Sequence, residues 1–205
     1  MFVLEKNLKL TTNHGFDGTC IKNRIMGLLI IVLMTTMLSC SNSFTDPRDG
    51  QVYKTVKIGN QTWMAENLNY NDGDSSYCYK DDSSNCEKYG RLYTWNAAIK
   101  AAPAGWHLPS KEEWEVLIST VGGEDSTALN NLVVGGNTGF NALTGIGTRD
   151  ESGAYHTVGK GAYFWSSTPD GDKDAWYCVL SKHRNKVHMV SRRMTDGFPI
   201  RCIKD

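Results

Sequence analysis

The stretch GWHLPSKEEWEVL, residues 105–117, groups side chains that could exchange protons, because His107 lies near two adjacent glutamates that include Glu113. Histidine and carboxylate side chains are the usual general acids and bases of enzymes. The same residues also fit a helix start, since Ser110 followed three residues later by Glu113 is a capping box. One apolar stripe then follows at helical spacing: Trp114, Leu117, Ile118 and Val121. We therefore interpret the stretch as scaffold, with a helix over 111–121.

Acidic residues at alternate positions of the stretch PDGDKD could offer oxygens to calcium. They are Asp170, Asp172 and Asp174. The stretch lacks the later glycine and the bidentate glutamate of an EF-hand loop. Calcium is the only cofactor that the sequence suggests, and a solvated turn is the alternative.

Motifs of catalytic sites are missing from the sequence. There is no G-x-S-x-G nucleophile elbow, no H-E-x-x-H zinc motif and no glycine loop for phosphate. The formal net charge is zero and 21% of the residues are charged, so no overall field favours nucleic acid or a membrane surface. The sequence therefore predicts a protein that is not an enzyme and that does not bind nucleic acid.

The first forty residues differ in kind from the rest of the chain. Lys22 and Arg24 precede an apolar run, 25–38, which is short for a membrane span and ends at Ser39 and Cys40. This pattern resembles a bacterial lipoprotein signal, and the resemblance implies cleavage before Cys40 and lipidation of its thiol. An ordinary secretory signal or an N-terminal anchor is the alternative.

These features divide the chain into four segments. Residues 1–20 contain acidic side chains and no basic start, so we interpret them as a spurious N-terminal extension. The signal peptide covers 21–39, a polar tether covers 40–50, and a single domain covers 51–205. We expect the protein in the cell envelope, lipid-anchored in the outer membrane and facing outside.

Four cysteines remain in the exported domain, where an oxidising compartment favours disulfides over free thiols. Four cysteines allow three pairings. Cys78 and Cys86 enclose the polar loop YKDDSSN, which needs a covalent link, so they are the favoured pair. Cys178 and Cys202 then pair by elimination. A zinc site is disfavoured because the spacings are not those of zinc clusters.

The pattern of elements predicts an α+β domain. A hairpin turns at Gly59-Asn60, and a polar, acidic loop covers 69–88. A short helix begins after Thr94, followed by the capped helix 111–121, and a region rich in glycine and asparagine covers 122–161. Four strands end the chain, and the last three are expected to form an antiparallel meander: 162–168, 175–180, 186–190 and 197–203.

Aromatic and basic residues in or near loops are the candidates for ligand binding. The aromatic candidates are Tyr77, Tyr79, Tyr155 and Trp176. The C-terminal hairpin is basic, and Arg192 and Arg193 on it could bind an anionic glycan or a partner protein. Exposed hairpins are often this polar for solubility alone, which is the alternative interpretation.

Five blocks of the sequence, in this order, resemble one bacterial family. The blocks are TWMAENLNY, YGRLYTWNAA, PAGWHLPSKEEWEVL, AYFWSST and GFPIRCIKD. They resemble the Fibrobacter succinogenes major paralogous domain, whose members are exported and often lipid-anchored. The resemblance implies a fold similar to C-type-lectin-like domains and to relatives of the sulfatase-modifying factor. In that fold two short helices pack on a twisted antiparallel sheet with long irregular loops.

The resemblance also bears on single residues. It implies that His107 is a block-defining position, which we interpret as a hydrogen-bonding strut between helix and sheet. Ala102 stands where many members have a cysteine able to pair with the one in the final block. Cys178 is present instead, in agreement with a relocated bridge.

Because the family carries no established activity, the resemblance supplies a fold and a location but no function. The sequence favours a lipid-anchored, surface-exposed and non-catalytic binding protein. Its expected partner is a polysaccharide or another envelope component, and a monomer is expected. The alternative is a structural module that binds a surface protein, and an envelope enzyme is the third possibility.

Overall fold

Residues 42–73, 75–156 and 161–205 are described by the computed structural model. The predicted extension, the signal peptide and Cys40 lie outside these residues. In chain order the strands and helices are β1 (Ser43–Thr45), β2 (Val52–Ile58), β3 (Gln61–Met64), β4 (Ser76–Tyr77), α1 (Ser83–Tyr89), β5 (Leu92–Tyr93), α2 (Trp95–Ala101), β6 (Trp106–His107), α3 (Lys111–Thr120), α4 (Ser126–Leu132), β7 (Thr148–Arg149), β8 (Tyr155–His156), β9 (Gly161–Asp170), β10 (Asp174–Ser181), β11 (Lys186–Arg193) and β12 (Ile203–Lys204).

Helices and antiparallel sheets both contribute to the fold, so the predicted α+β class is confirmed. The larger sheet has the strand order β1-β2-β3-β12-β6, and its neighbouring strands are antiparallel. The predicted hairpin at Gly59-Asn60 joins β2 to β3, with Ile58 opposite Gln61. Gly59 has a φ of +60°, which a residue without a side chain adopts at little cost.

Part of the segment predicted as a polar tether, 40–50, is folded onto this sheet. Strand β1 pairs with β2, and the side chain of Asp46 is fully buried. The Arg48 guanidinium donates to Asp46 over 2.7 Å and to the carbonyl of Ala101 over 2.8 Å. Residues 43–50 are therefore a folded segment that pairs with the domain, although most of their side chains are exposed.

A separate three-stranded sheet has the order β11-β10-β9. The predicted meander of the last three strands is wrong in its membership, because β9 supplies the third strand. The final segment, 197–203, instead crosses to the larger sheet, where Ile203 pairs with Trp63 and with His107. A strand's partner is set by long-range packing, which the alternation of apolar residues does not encode.

This crossing places the two remaining cysteines in different parts of the core. Cys178 lies in the cluster around Trp114, and Cys202 lies in the cluster around Trp165. Both thiols are free and fully buried, so the predicted Cys178–Cys202 disulfide is wrong. Burial raises the pKa of both thiols, which stay protonated and pack as small apolar groups.

The helices also differ in number from the expected two, since four α-helices occur within the described ranges. Helix α1 lies in the segment predicted as an acidic loop, where Asp82 caps it by accepting from the Ser84 amide. Helix α4 is capped in the same way by Asp125. Both have seven residues, too few for a clear helical repeat. None of the helices described is long and apolar enough to cross a membrane.

Candidate functional site

His107 connects the start of α3 to the end of the chain. Its Nδ1 lies 2.6 Å from a carboxylate oxygen of Asp205, and its Nε2 lies 2.9 Å from Glu113. The other oxygen of Glu113 accepts from the Ser110 amide over 2.7 Å, which completes the predicted capping box. The interpretation of His107 as a strut is confirmed, because both ring nitrogens are occupied by carboxylates.

These carboxylates also set the charge of the imidazole. Partial burial by itself lowers the pKa of His107, but the hydrogen bonds to Asp205 and Glu113 outweigh it and raise the pKa above its ordinary value. The charged ring is then a donor at both nitrogens. A general base needs a free lone pair, which this ring does not offer.

The proposed calcium ligands lie at the turn between β9 and β10. Asp170 and Asp174 are opposite each other in the strand register, and Asp174 lies 3.8 Å from Arg193. Within the described ranges, no group of three acidic, histidine or cysteine side chains is arranged to hold a metal ion. Alternate spacing along this hairpin does not make the carboxylates of Asp170, Asp172 and Asp174 converge, and calcium binding there stays a prediction.

The predicted disulfide between Cys78 and Cys86 is confirmed. The three tyrosine candidates come together beside it. The rings of Tyr79 and Tyr155 meet edge to face with centroids 5.5 Å apart. The Arg149 guanidinium lies 3.9 Å from the ring centre of Tyr77. Tyr79 is buried, so its ring is part of a small apolar cluster and is not available to stack on a ligand.

The other candidates lie on the β10–β11 hairpin. The Lys111 ammonium lies 4.1 Å from the ring centre of Trp176. Arg192 donates over 2.6 Å to the buried carboxylate of Asp196. Because Arg193 faces Asp174, both arginines already have acidic partners. The predicted ligand residues thus do not form one site.

A cleft of about 290 Å³ lies between β2, the loop that follows β3, and α1. We call it the β2–α1 cleft. The residues that matter for its chemistry are Lys54, Asn67, Asn69, Lys88, Tyr89 and Arg201. It is bordered by Tyr89 and Leu143, which also contact the tyrosine cluster.

Two asparagines give the cleft fixed amide groups. Asn67 is buried, donates to the carbonyl of Tyr89 over 2.9 Å and accepts from Arg201 over 2.9 Å. The main-chain amide of Asn69 donates to the Tyr53 hydroxyl over 3.0 Å. The side-chain oxygen of Asn69 is buried and has no hydrogen-bond partner in the part of the chain that the structure describes. An acceptor left in this state costs about 1–3 kcal/mol unless water or a ligand binds it.

Arg201 lies beneath the cleft and is fully buried. Its guanidinium donates to the carbonyls of Phe140 and Asn141 as well as to Asn67, and it stacks on the Phe140 ring. Burial lowers the pKa of Arg201 to about 9, so the group stays charged at neutral pH. No carboxylate among the described residues forms an ion pair with it, but the charge of Glu66, which lines the same cleft, opposes the effect of burial and raises the pKa of Arg201.

A comparison with protein families gives a match to the Fibrobacter succinogenes major domain over residues 56–204. The chain belongs to that family. The resemblance carried by the five sequence blocks is thereby confirmed. Neither a comparison with the curated proteins nor one with the solved structures gives a match.

The region that matches the Fibrobacter succinogenes major domain contains only part of the β2–α1 cleft. Asn67, Asn69 and Arg201 lie inside it, whereas Lys54 precedes it. Sequence reasoning missed these four residues. Two signals were available in the sequence. Asn67 and Asn69 flank the buried Leu68, and Arg201 lies between two apolar residues that are also buried.

The chemistry of this cleft is that of hydrogen bonding and charge. Among the described residues that line it, none is a serine, a threonine or a histidine. His156 lies elsewhere, with Nε2 2.6 Å from Asp150. The cleft offers amides, ammonium groups, a tyrosine ring and the carboxylates of Glu66 and Glu87, which are groups that can hydrogen-bond to a polar ligand.

Proposed function

We propose that the protein is a non-catalytic binding domain of the bacterial cell envelope, and that it holds a segment of polysaccharide in the β2–α1 cleft. The observation that carries the proposal is the buried, unpartnered oxygen of Asn69 in a polar cleft. Sugar hydroxyls donate and accept hydrogen bonds, so they match this oxygen and the neighbouring amides and charged groups. The half-buried Tyr89 ring adds an apolar surface for the face of a sugar.

The same proposal includes a C-type-lectin-like arrangement of the domain. The two larger of the four antiparallel sheets, helices α2 and α3 and the loop-rich region after α4 support this arrangement. In such a fold the sheets and helices form a rigid scaffold, and the loops that they hold can vary in sequence and supply the contacts to a ligand. The β2–α1 cleft lies beside one such loop, which contributes Asn141 and Leu143.

A lipid anchor at Cys40 would hold the domain close to the membrane surface. Two residues separate Cys40 from Ser43 at the start of β1, so the two are three residue steps apart. A fully extended chain covers at most about 3.6 Å per residue, so this link spans at most roughly 11 Å. We therefore propose an envelope protein that binds polysaccharide next to the outer membrane, on its outer side.

Binding to a panel of glycans and plant polysaccharides tests the proposal directly. We expect saturable binding to one polysaccharide class by the oxidised protein, unchanged by a calcium chelator. Lys54→Ala removes an ammonium group from the cleft and should weaken binding about tenfold, which is about 1.4 kcal/mol. Lys57→Ala is the matched control, because Lys57 is also exposed on β2 but does not line the cleft.

Two results would overturn this assignment. The first is a folded protein that binds no member of the panel. The second is an equal loss of affinity for Lys54→Ala and Lys57→Ala, since this would mean that only net charge matters. Asn69→Leu adds a second test, because it removes the buried oxygen at similar side-chain volume and should weaken binding of the glycan.

A further inference from the structure

The outer side of the three-stranded sheet carries a second concave surface, of about 250 Å³. In the register of β10 and β11, Val179 is opposite His188 and Tyr177 is opposite Val190. Alternate residues of a strand point to the same side of a sheet, so these side chains are neighbours. Residues between them, including Cys178, point into the core. We call this surface the β10–β11 face, and it is lined by Tyr163 of β9 together with Tyr177, Val179, Ser181, Arg184, His188 and Val190.

His188 provides a buried polar atom that has no hydrogen-bond partner. The residue is 9% exposed, and its Nδ1 is buried with no partner anywhere in residues 42–73, 75–156 and 161–205. Burial lowers the pKa of His188, helped by the positive charges of Lys186 and Arg184 and opposed by Glu124. The ring is thus neutral at neutral pH, and its Nδ1 can donate or accept, depending on the tautomer. A ligand hydroxyl suits such a nitrogen, because it can also do either.

Arg184 gives the same surface a positive charge that no acid neutralises. Its main-chain amide donates to the Ser181 hydroxyl over 3.1 Å, which fixes the turn that carries it. Its guanidinium makes no ion pair with a described residue. No aspartate or glutamate lines the surface among the residues described there. A guanidinium is a preferred partner for a carboxylate, since two parallel hydrogen bonds can form.

Tyr177 supplies a rigid aromatic ring beside these groups. It stacks on Phe198 with ring centres 4.8 Å apart and an angle of 20° between the planes. The residue is half-buried, and burial raises the pKa of its hydroxyl, which stays protonated. An aromatic ring held in this way loses little conformational entropy when a flat, partly apolar ligand packs on it.

We propose that the β10–β11 face binds one carboxylated sugar, a hexuronic acid residue. Arg184 binds the carboxylate, the Nδ1 of His188 binds a ring hydroxyl, and the Tyr177 ring contacts the apolar face of the sugar. The site is separate from the β2–α1 cleft and does not depend on it. A polysaccharide with acidic residues can be bound at either place, so variants of both must be measured together.

Titration with an oligomer of galacturonic acid tests the site, with its uncharged methyl ester as the comparison ligand. We expect the intact protein to bind the acid at least tenfold more tightly than the ester. Arg184→Ala should remove this preference, and His188→Phe, which keeps an aromatic ring but no nitrogen, should weaken binding of the acid several-fold. Lys182→Ala is the charge-matched control, because Lys182 is exposed nearby but does not line the surface.

Four outcomes would overturn the proposal. The first three are equal affinity for acid and ester, equal losses for Arg184→Ala and Lys182→Ala, and no binding of the acid by the folded protein. The fourth is loss of binding in Lys54→Ala but not in Arg184→Ala, which would place the acid in the β2–α1 cleft. That result would end this proposal and leave the proposed function in place. Circular dichroism of each variant shows that it is folded.

Discussion

The start of α3 and the two concave surfaces differ in how their polar groups are used. Around α3, Ser110, Glu113, His107 and Asp205 form an unbroken chain of hydrogen bonds. In the β2–α1 cleft and on the β10–β11 face, Asn69 and His188 each keep a buried atom without a partner among the described residues. Both regions use polar residues, and each contains a histidine, so residue type alone does not separate them.

The difference indicates which region is scaffold and which is available to a ligand. A polar group whose hydrogen bonds are complete has nothing left to offer, and its loss lowers stability. A buried group without a partner lowers stability as it stands, and a ligand that binds it removes this cost. Variants around α3 should therefore change unfolding, whereas variants at Asn69 and His188 should change binding.

The largest effect is expected for Leu117→Ala. Leu117 is fully buried in the apolar stripe of α3, so the change should lower the free energy of unfolding by about 2–5 kcal/mol. Val116→Ala is the control, because Val116 is the preceding residue and is 53% exposed. Urea unfolding of both variants checks this, and glycan affinity of the folded fraction should stay unchanged. Similar destabilisation by the two variants would mean that α3 does not pack as described.

The next largest effect concerns the disulfide beside the β2–α1 cleft. Cys78 and Cys86 are eight residues apart, and replacing both with serine should cost about 2–3 kcal/mol by the loop-entropy estimate. Because α1 contributes Lys88 and Tyr89 to the cleft, affinity for the glycan should fall as well. Unfolding with and without a reductant measures the effect.

The same double variant tests the state of the other two cysteines. A reductant should destabilise the natural protein but leave the double variant unchanged, because Cys178 and Cys202 are free thiols. If the reductant lowers the stability of the double variant further, a second disulfide is present. That outcome would restore the pairing expected from the sequence.

A smaller effect is expected for the helix cap. The Ser110 hydroxyl accepts from the Glu113 amide over 3.2 Å, and Ser110→Ala should cost about 1 kcal/mol. Ser119→Ala, at an exposed position near the end of the same helix, should change stability by less than about 0.5 kcal/mol. Thermal unfolding of the two variants gives the comparison. Equal melting temperatures of Ser110→Ala and Ser119→Ala would mean that the cap does not stabilise the helix.

The smallest effect is the pH dependence that comes from His107. Its pKa is raised in the folded protein by Asp205 and Glu113, after burial has lowered it in part, from about 6.5 in the unfolded chain. The interaction of charged His107 with these two carboxylates therefore stabilises the folded protein fully below about pH 6.5. This stabilisation is lost as the pH rises through the pKa of His107 in the folded protein. The side chain is 41% exposed, so solvent screening limits the effect to less than about 1 kcal/mol.

The free energy of unfolding measured between about pH 5 and pH 8 tests whether stability falls as the pH rises. His107→Gln should flatten the decrease in stability over that range, whereas His183→Gln, at an exposed position in the β10–β11 turn, should leave it unchanged. A stability that rises with pH in the natural protein and not in His107→Gln would contradict the described hydrogen bonds.

Local features of the fold were predictable because neighbouring residues decide them. Ser110 and Glu113 are three residues apart, and the stripe through Trp114 and Leu117 lies on one face of one helix. The Cys78–Cys86 pair closes a short loop, so its pairing was also accessible. Helices α1 and α4 were missed, although α2 has the same length of seven residues and was predicted after Thr94, so length alone does not explain the difference.

The candidate sites were not predictable in this way, because distant residues form them. Lys54, Asn67, Lys88 and Arg201 meet only after β2, α1 and the C-terminal segment have packed together. The three aspartates of the PDGDKD turn are close in sequence, yet their spacing did not bring their oxygens to one point. Tyr77, Tyr79 and Tyr155 did come together, but their rings contact Arg149 and one another.

The sequence by itself determined the α+β class, the family, the cap and apolar face of α3 and one disulfide. The physical reason is that each depends on residues close in sequence or on blocks recognisable by their order. Tertiary structure decided which strand β12 joins, why Cys178 and Cys202 stay apart, and which buried atoms lack a partner. These depend on how distant segments pack, because a hydrogen bond is complete or missing only when every neighbouring group is in place.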